Sequence, residues 1–178
     1  VKYYSFIIML FAFVSATEAQ HLKYTNQTEL GILLGQEGTR PIFNLKSFNG
    51  IKVNAIGFEA GISAGLDTYK EATIMPVSLG LRYVFLKEEN MSAYLGFDGG
   101  YGLDWLENET EENQLKGGIM VNPAAGIRLN AGGSASIHFS LGFKSQTFST
   151  YRNETTYLYI QKDEYKYNRM VLNVGLTF

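Results

Sequence analysis

The chain has 178 residues, with 15 Lys and Arg against 17 Asp and Glu, a formal net charge of -2 at pH 7, and no cysteine. That length suits one domain, the near-neutral charge removes the usual electrostatic basis for binding nucleic acid, and the missing thiols exclude disulfide staples, cysteine catalysis and common structural zinc sites. Hydrophobic residues make up 46% of the chain, yet mean hydropathy is only -0.07, so apolar residues are dispersed among polar ones, as in strands, rather than pooled, as in membrane helices.

Residues 1–19 read as a signal peptide: Lys2 gives a minimal basic start, Phe6 to Val14 an apolar run, and Thr17-Glu18-Ala19 small residues at the cleavage positions. The run is shorter than the roughly 20 residues a spanning helix requires. Cleavage before Gln20 and export are therefore expected, leaving 20–178 as a single β-barrel domain.

Eight segments follow a two-residue period, at about 28–35, 42–53, 56–67, 74–86, 91–103, 118–129, 135–147 and 166–178. The first is short and the second keeps no clean phase. In the third, Ile56, Phe58, Ala60, Ile62, Ala64 and Leu66 share one face, opposite Gly57, Glu59, Gly61, Ser63, Gly65 and Asp67. In the fourth, Met75, Val77, Leu79, Leu81, Tyr83 and Phe85 oppose a face holding Ser78, Gly80 and Arg82. The fifth sets Ala93, Leu95, Phe97, Tyr101 and Leu103 against Tyr94, Gly96, Asp98, Gly100 and Gly102. The sixth sets Ile119, Val121, Pro123, Ala125, Ile127 and Leu129 against Asn122, Gly126 and Arg128, and Pro123, which cannot donate to a ladder, marks an expected bulge. The seventh sets Ile137, Phe139, Leu141 and Phe143 against His138, Ser140, Gly142 and Lys144; the eighth sets Met170, Leu172, Val174, Leu176 and Phe178 against Arg169, Asn173, Gly175 and Thr177.

Connections alternate in length. Short ones fall near Asn54-Ala55, at Lys87–Asn90 and at Asn130–Gly133; longer ones near Gln36–Pro41, Thr68–Thr73, Asp104–Gly117 and Phe148–Tyr165. An up-and-down membrane barrel has this order, with tight turns at one end and loops at the other. Alternation alone does not say which face is inside. Glycine does: in the phased segments all but Gly99 lie on the polar face, and a solvated surface has no use for them, whereas a narrow interior needs small residues beside large ones. The charges agree, since Glu59, Arg82, Asp98, Arg128, Lys144 and Arg169, with His138, all share the polar face, where opposite signs neutralise one another. The expected fold is an all-β, eight-stranded antiparallel transmembrane barrel with a polar interior.

The final segment, ending in Met170, Leu172, Val174, Leu176 and Phe178, resembles the C-terminal signature of bacterial outer-membrane barrels, which implies that the barrel assembly machinery reads it. More broadly, Glu29-Leu30-Gly31-Ile32-Leu33-Leu34-Gly35, Asn49-Gly50, Leu81-Arg82-Tyr83-Val84-Phe85 and Asn122-Pro123-Ala124-Ala125-Gly126-Ile127-Arg128 resemble the small OmpA-like and porin-like outer-membrane barrels common in Bacteroidota. That resemblance implies an outer-membrane location with lipid and lipopolysaccharide as neighbours, and a monomer.

Catalytic candidates are few. His138 and Ser140 resemble the His-x-Ser pair of outer-membrane lipid A deacylase barrels, but there the pair faces lipid and here the phase turns both inward. The acidic stretch Asp104, Glu107, Glu109, Glu111 and Glu112 lacks the ligand spacing of a calcium loop and reads as a solvated loop. Tyr151, Tyr157, Tyr159, Tyr165 and Tyr167 suit an interfacial belt or a docking surface. No catalytic, cofactor or metal site is expected. The expectation is a non-enzymatic barrel with a structural, envelope-integrity or surface-interaction role, a narrow pore being the alternative and a lipid-modifying enzyme the remote one.

Overall fold

A computed structural model describes residues 22–35, 40–53, 57–70, 72–105, 113–154 and 159–178. The expected signal peptide and the glutamates of the acidic loop lie outside them. Within the described residues the strands are β1 (Leu22–Leu34), β2 (Ile42–Val53), β3 (Phe58–Thr68), β4 (Thr73–Lys87), β5 (Met91–Leu103), β6 (Asn113–Lys116), β7 (Gly118–Gly132), β8 (Ala135–Glu154) and β9 (Tyr159–Thr177).

Every neighbouring pair is antiparallel, and the order β1-β2-β3-β4-β5-β7-β8-β9 closes through β1 and β9 into an eight-stranded up-and-down barrel. Closure leaves no unpaired edge within the ring, so backbone donors and acceptors are satisfied without disulfides or a second layer. The stagger follows from the register. From Lys23 the partners run through Lys52, Glu59, Arg82, Gly96, Ala124, Gly142 and Val171, and arrive at Leu33, ten residues further along β1. Eight strands with that shear tilt about 40° from the axis and enclose a lumen that side chains fill.

Three expectations need correction. The link expected over Phe148–Tyr165 is mostly strand: β8 and β9 pair in unbroken register from Ser136–Thr177 out to Glu154–Tyr159, a hairpin that stands beyond the rim. The link expected over Asp104–Gly117 contains β6, which pairs only with that hairpin, Leu115 opposite Thr150. Both were hidden because polar residues lie on both faces there, which erases the period-2 signal. Pro123 makes no bulge either: it stands opposite Phe97, and the β7–β8 register is the same on both sides of it. The register shifts fall instead at Val84/Leu86 and Asn130/Gly132.

The phase of β2 is now defined. Ile42, Asn44, Lys46 and Phe48 are buried in the lumen while Phe43, Leu45, Asn49 and Ile51 face out. Its pattern is obscured in the sequence because each face mixes polar and apolar residues. β1 starts at Leu22, well before the expected 28, with Thr25, Gln27, Glu29 and Leu33 inward.

The short turns sit at the end of the barrel that also carries the start of β1 and the end of β9. The tightest, between β7 and β8, has Gly132 at φ 101° and Gly133 at φ 64°, left-handed values that glycine adopts without steric cost. At Gly175 the issue is space: a Cβ there would lie 2.0 Å from the Thr28 carbonyl oxygen and 2.9 Å from the Glu29 Cα, both backbone atoms of the strand that closes the ring. Gly175→Leu is therefore expected to destabilise the barrel by about 3 kcal/mol or more, while Val174→Leu, on the outer wall, leaves it nearly unchanged. The check is the fraction of heat-modifiable folded protein on refolding into lipid vesicles.

Candidate functional site

The lumen gathers what the alternating phase turns inward. Near the short-turn end, Arg128 from β7 reaches across to Glu59 on β3 in a bidentate pair, Nη1 to Oε1 and Nη2 to Oε2, each 2.7 Å. Its Nη2 also donates to Gln27 Oε1 at 2.9 Å, and its guanidinium lies 4.6 Å from the Tyr94 ring centroid. The fork geometry of Arg permits all of these contacts at once. Lys52 Nζ adds a second cation to Glu59 at 3.3 Å.

Midway along the axis, Glu29 is held by Lys46 Nζ at 2.8 Å, by His138 Nε2 at 3.1 Å and by Asn173 Nδ2 at 3.0 Å. Lys46 bridges onward to Asp98 at 3.2 Å, which also accepts from Arg82 Nη2 at 2.9 Å and from Ser63 Oγ at 3.0 Å. Arg82 in turn lies 4.7 Å from the Phe48 ring centroid. Closer to the loop end, Asp67 takes Lys144 as an ion pair and accepts from Asn44 Nδ2 at 2.6 Å. All four of these carboxylates, and Arg82, Arg128, Lys46 and Lys144, are buried. Charges withdrawn from water persist only when paired and hydrogen-bonded, and each carboxylate here has at least one cation.

Above this ionic tier the lumen turns apolar. Leu33, Ile42, Tyr69, Ala72, Ile74, Leu115, Phe148 and Val171 form one buried cluster against which Tyr165 and Tyr167 pack. Phe148 stacks on Tyr165 at 5.2 Å and on Tyr167 at 5.6 Å, and Tyr69 lies 4.8 Å from Tyr167. Residues of the strands, of the β3–β4 link and of β6 all contribute, so the loop end of the lumen is capped by side chains. Arg169 is buried at this level and lies over the Tyr167 ring at 5.1 Å.

Of the residues expected inside, the structure joins Glu59 to Arg128, Arg82 to Asp98, and His138 to Glu29, and gives Lys144 the carboxylate of Asp67. Arg169 lies beside the aromatic cap, over the Tyr167 ring. Glu29 and Lys46, the hub of the middle tier, are not legible in the sequence because β1 shows alternation only in its second half and β2 keeps no clean phase. Met170, Leu172, Val174, Leu176 and Phe178 all face outward.

His138 and Ser140 point inward as the phase requires, but they form no nucleophile and base pair. His138 Nε2 meets Glu29, its Nδ1 shares a hydrogen bond of 3.1 Å with Thr177 Oγ1, and Ser140 Oγ accepts from Asn173 Nδ2 at 3.2 Å. The acid and base roles of an acyl-transfer site need one ring nitrogen on the hydroxyl. Among the described residues no group of three or more His, Asp or Glu is placed to hold a metal ion.

The outer wall is the inverse of the lumen. Leu79, Leu81, Leu95, Phe97, Phe139, Leu141, Leu172 and Val174 are exposed, Leu79 at 72%. Exposed aromatics gather toward both ends of this band: Phe43, Tyr101 and Trp105 toward the loops, and Tyr24, Phe58, Tyr83, Phe85 and Phe178 toward the turns. A contiguous apolar surface of this extent is unstable in water, and paired aromatic girdles are the pattern of a wall that meets lipid.

No family model matches the chain, and no curated protein matches it in sequence. Solved structures match in fold. The outer-membrane protein AlkL, determined in lipid bilayers, aligns over 92% of this chain and 93% of its own with a TM-score of 0.56 and 13% identity. The outer-membrane protein OprG of Pseudomonas aeruginosa aligns over 86% and 93% with 0.54 and 12%. The N-terminal barrel domain of OprF from the same organism aligns over 89% and 98% with 0.55 and 14%. The chain thus has the fold of small outer-membrane β-barrels.

The Glu59 cluster gives a direct test of the ionic tier. Glu59→Ala leaves Arg128 buried without its carboxylate and is expected to cost about 3–5 kcal/mol. The double variant Glu59→Leu with Arg128→Met, which removes both charges, is expected to recover most of that loss. Urea unfolding midpoints in lipid vesicles measure both.

Proposed function

We propose that this chain is a non-enzymatic protein of the bacterial outer membrane that acts through its walls and its protruding hairpin, in envelope integrity or surface interaction, rather than through an open bore. The observation that carries this reading is the filled lumen: ion pairs cross it at three heights and an aromatic cap closes its loop end. A solute would have to break buried, mutually neutralising pairs to pass. A narrow pore needs a different arrangement, a continuous polar path lined by groups that are left free to meet the solute.

Outer-membrane placement is supported by the apolar wall between two aromatic girdles and by the fold shared with proteins of that membrane. Lipid and lipopolysaccharide are then the partners of the wall. The terminal residues Met170 to Phe178 have the outward alternation that an assembly machinery would read. In this orientation the turns face the periplasm and the β8–β9 hairpin faces outward.

In planar bilayers the purified barrel is expected to give no steady openings. Stable conductance that changes when Arg82 or Arg128 is replaced would favour the pore. Deleting Phe178 is expected to lower the yield of folded barrel in the membrane several-fold, read by heat-modifiable mobility; equal yields would remove the assembly role. Protease added to intact cells is expected to cut at the β8–β9 hairpin and spare the β4–β5 turn.

A further inference from the structure

The apolar wall is interrupted on β1 and β2. On the outward face of β1 and β2, Tyr24, Asn26, Thr28, Ser47 and Asn49 form a hydrogen-bonded island. Tyr24 OH donates to Asn49 Oδ1 at 2.7 Å, Asn26 Nδ2 donates to Asn49 Oδ1 at 2.8 Å, Thr28 Oγ1 donates to Asn26 Oδ1 at 3.1 Å, and Asn49 Nδ2 donates to Ser47 Oγ at 3.2 Å. Thr28 and Ser47 share a further contact of 3.3 Å.

This island lies within the band. Along the strands, exposed Leu30 and Leu45 lie on the loop side of it and exposed Leu22 and Ile51 on the turn side. Across the ladders, Asn49 pairs with Ile62, Ser47 with Ala64 and Thr28 with Leu176, so apolar residues flank it on both sides. Tyr24 lies at the level of the turn-side girdle, Asn26 exchanges backbone hydrogen bonds with Phe178 of that girdle, and Thr28 stands four residues beyond Tyr24 along β1. With a rise of about 3.3 Å per residue and a tilt of about 40°, that places Thr28 roughly 10 Å inside the edge of an apolar belt about 25 Å tall. Headgroups do not reach that depth, and acyl chains offer no hydrogen-bond partner.

We propose, in place of the monomer that the resemblance implies, that this face of β1 and β2, with Ala60 and Ala64 of β3 beside it, is a lateral interface to a second copy of the same chain within the membrane. Three features select that partner. The island is uncharged, so two copies meet without repulsion. It holds amides and hydroxyls, donors and acceptors together, and is complementary to itself about a two-fold axis along the membrane normal. Beside Tyr24 at its edge, Asn26, Thr28, Ser47, Asn49 and the two alanines are smaller than the Leu and Phe that dominate the rest of the wall, so two walls approach closely there, as small residues allow in lipid. Valence remains for the partner: among the described residues Asn49 Nδ2 donates one hydrogen bond of the two it can make.

The inference rests on the membrane placement proposed above, and its test separates the two. The chain has no cysteine, so a single one reports unambiguously. Ser47→Cys marks the island and Ala125→Cys marks β7, four strands away around the ring. Each is reconstituted at low protein-to-lipid ratio and oxidised. Failure to gain heat-modifiable mobility and to float with the vesicles would count against the membrane placement itself. Given insertion, the expected result is a disulfide-linked dimer for Ser47→Cys and none for Ala125→Cys. Adding Asn26→Leu and Asn49→Leu to Ser47→Cys is expected to cut cross-linking by about tenfold, on the scale of one inter-chain polar contact in lipid, with folded yield retained. Inserted barrels that cross-link at neither position, or equally at both, overturn the interface, as does cross-linking to a different protein in native membranes without any dimer in purified vesicles.

Discussion

The narrow bore of eight strands closing with a ten-residue stagger governs what every inward position can hold. A ring of this size leaves no solvent-filled channel wide enough to hydrate isolated charges, so an inward side chain is either small, apolar and packed, or polar and matched by a partner on another strand. Gly126 shows the steric half of the rule: a Cβ there would lie 2.6 Å from the Tyr94 ring, which needs that space to lie beside Arg128. The electrostatic half appears in Arg128 itself, whose pairing with Glu59 joins residues 69 positions apart in sequence.

The same bore explains why the two ends of the lumen differ. Where strands converge on short turns, the interior is polar and linked by ion pairs. Toward the loops, chain beyond the ring supplies extra cover, and Leu115 of β6 together with Phe148, Tyr165 and Tyr167 of the hairpin makes an apolar cap. β6 has no place in the closed ring; it pairs with the hairpin and lays one side chain over the opening. The fold therefore places its cross-lumen ion pairs in the part of the lumen that ladders surround completely.

Much of this was readable in the residues, and the reasons for the gaps are physical. β3, β4, β5, β7 and the rim-to-turn parts of β8 and β9 are each greasy on one side and glycine-rich or charged on the other, so period and facing could be assigned together. β2 could not be phased because Phe48 lies inside, beneath Arg82, while Ser47 and Asn49 lie outside. The extension of β8 and β9 is invisible for a related reason: beyond the rim polar residues fall on both faces, and a strand polar on two sides carries no alternation. Ion-pair partners were beyond reach altogether. That Lys46 joins Asp98, or Lys144 joins Asp67, depends on the stagger of the ring, which no single strand encodes.

The ion pairs also have a mechanical meaning. Arg128 with Glu59, Lys46 with Asp98 and Lys144 with Asp67 each join strands three or four places apart around the ring, so they run across the bore like spokes at different heights and headings. Flattening the cross-section toward an ellipse would lengthen some of these chords while compressing others. A shell one sheet thick would otherwise deform readily under uneven lateral pressure; braced in this way, it keeps a round profile.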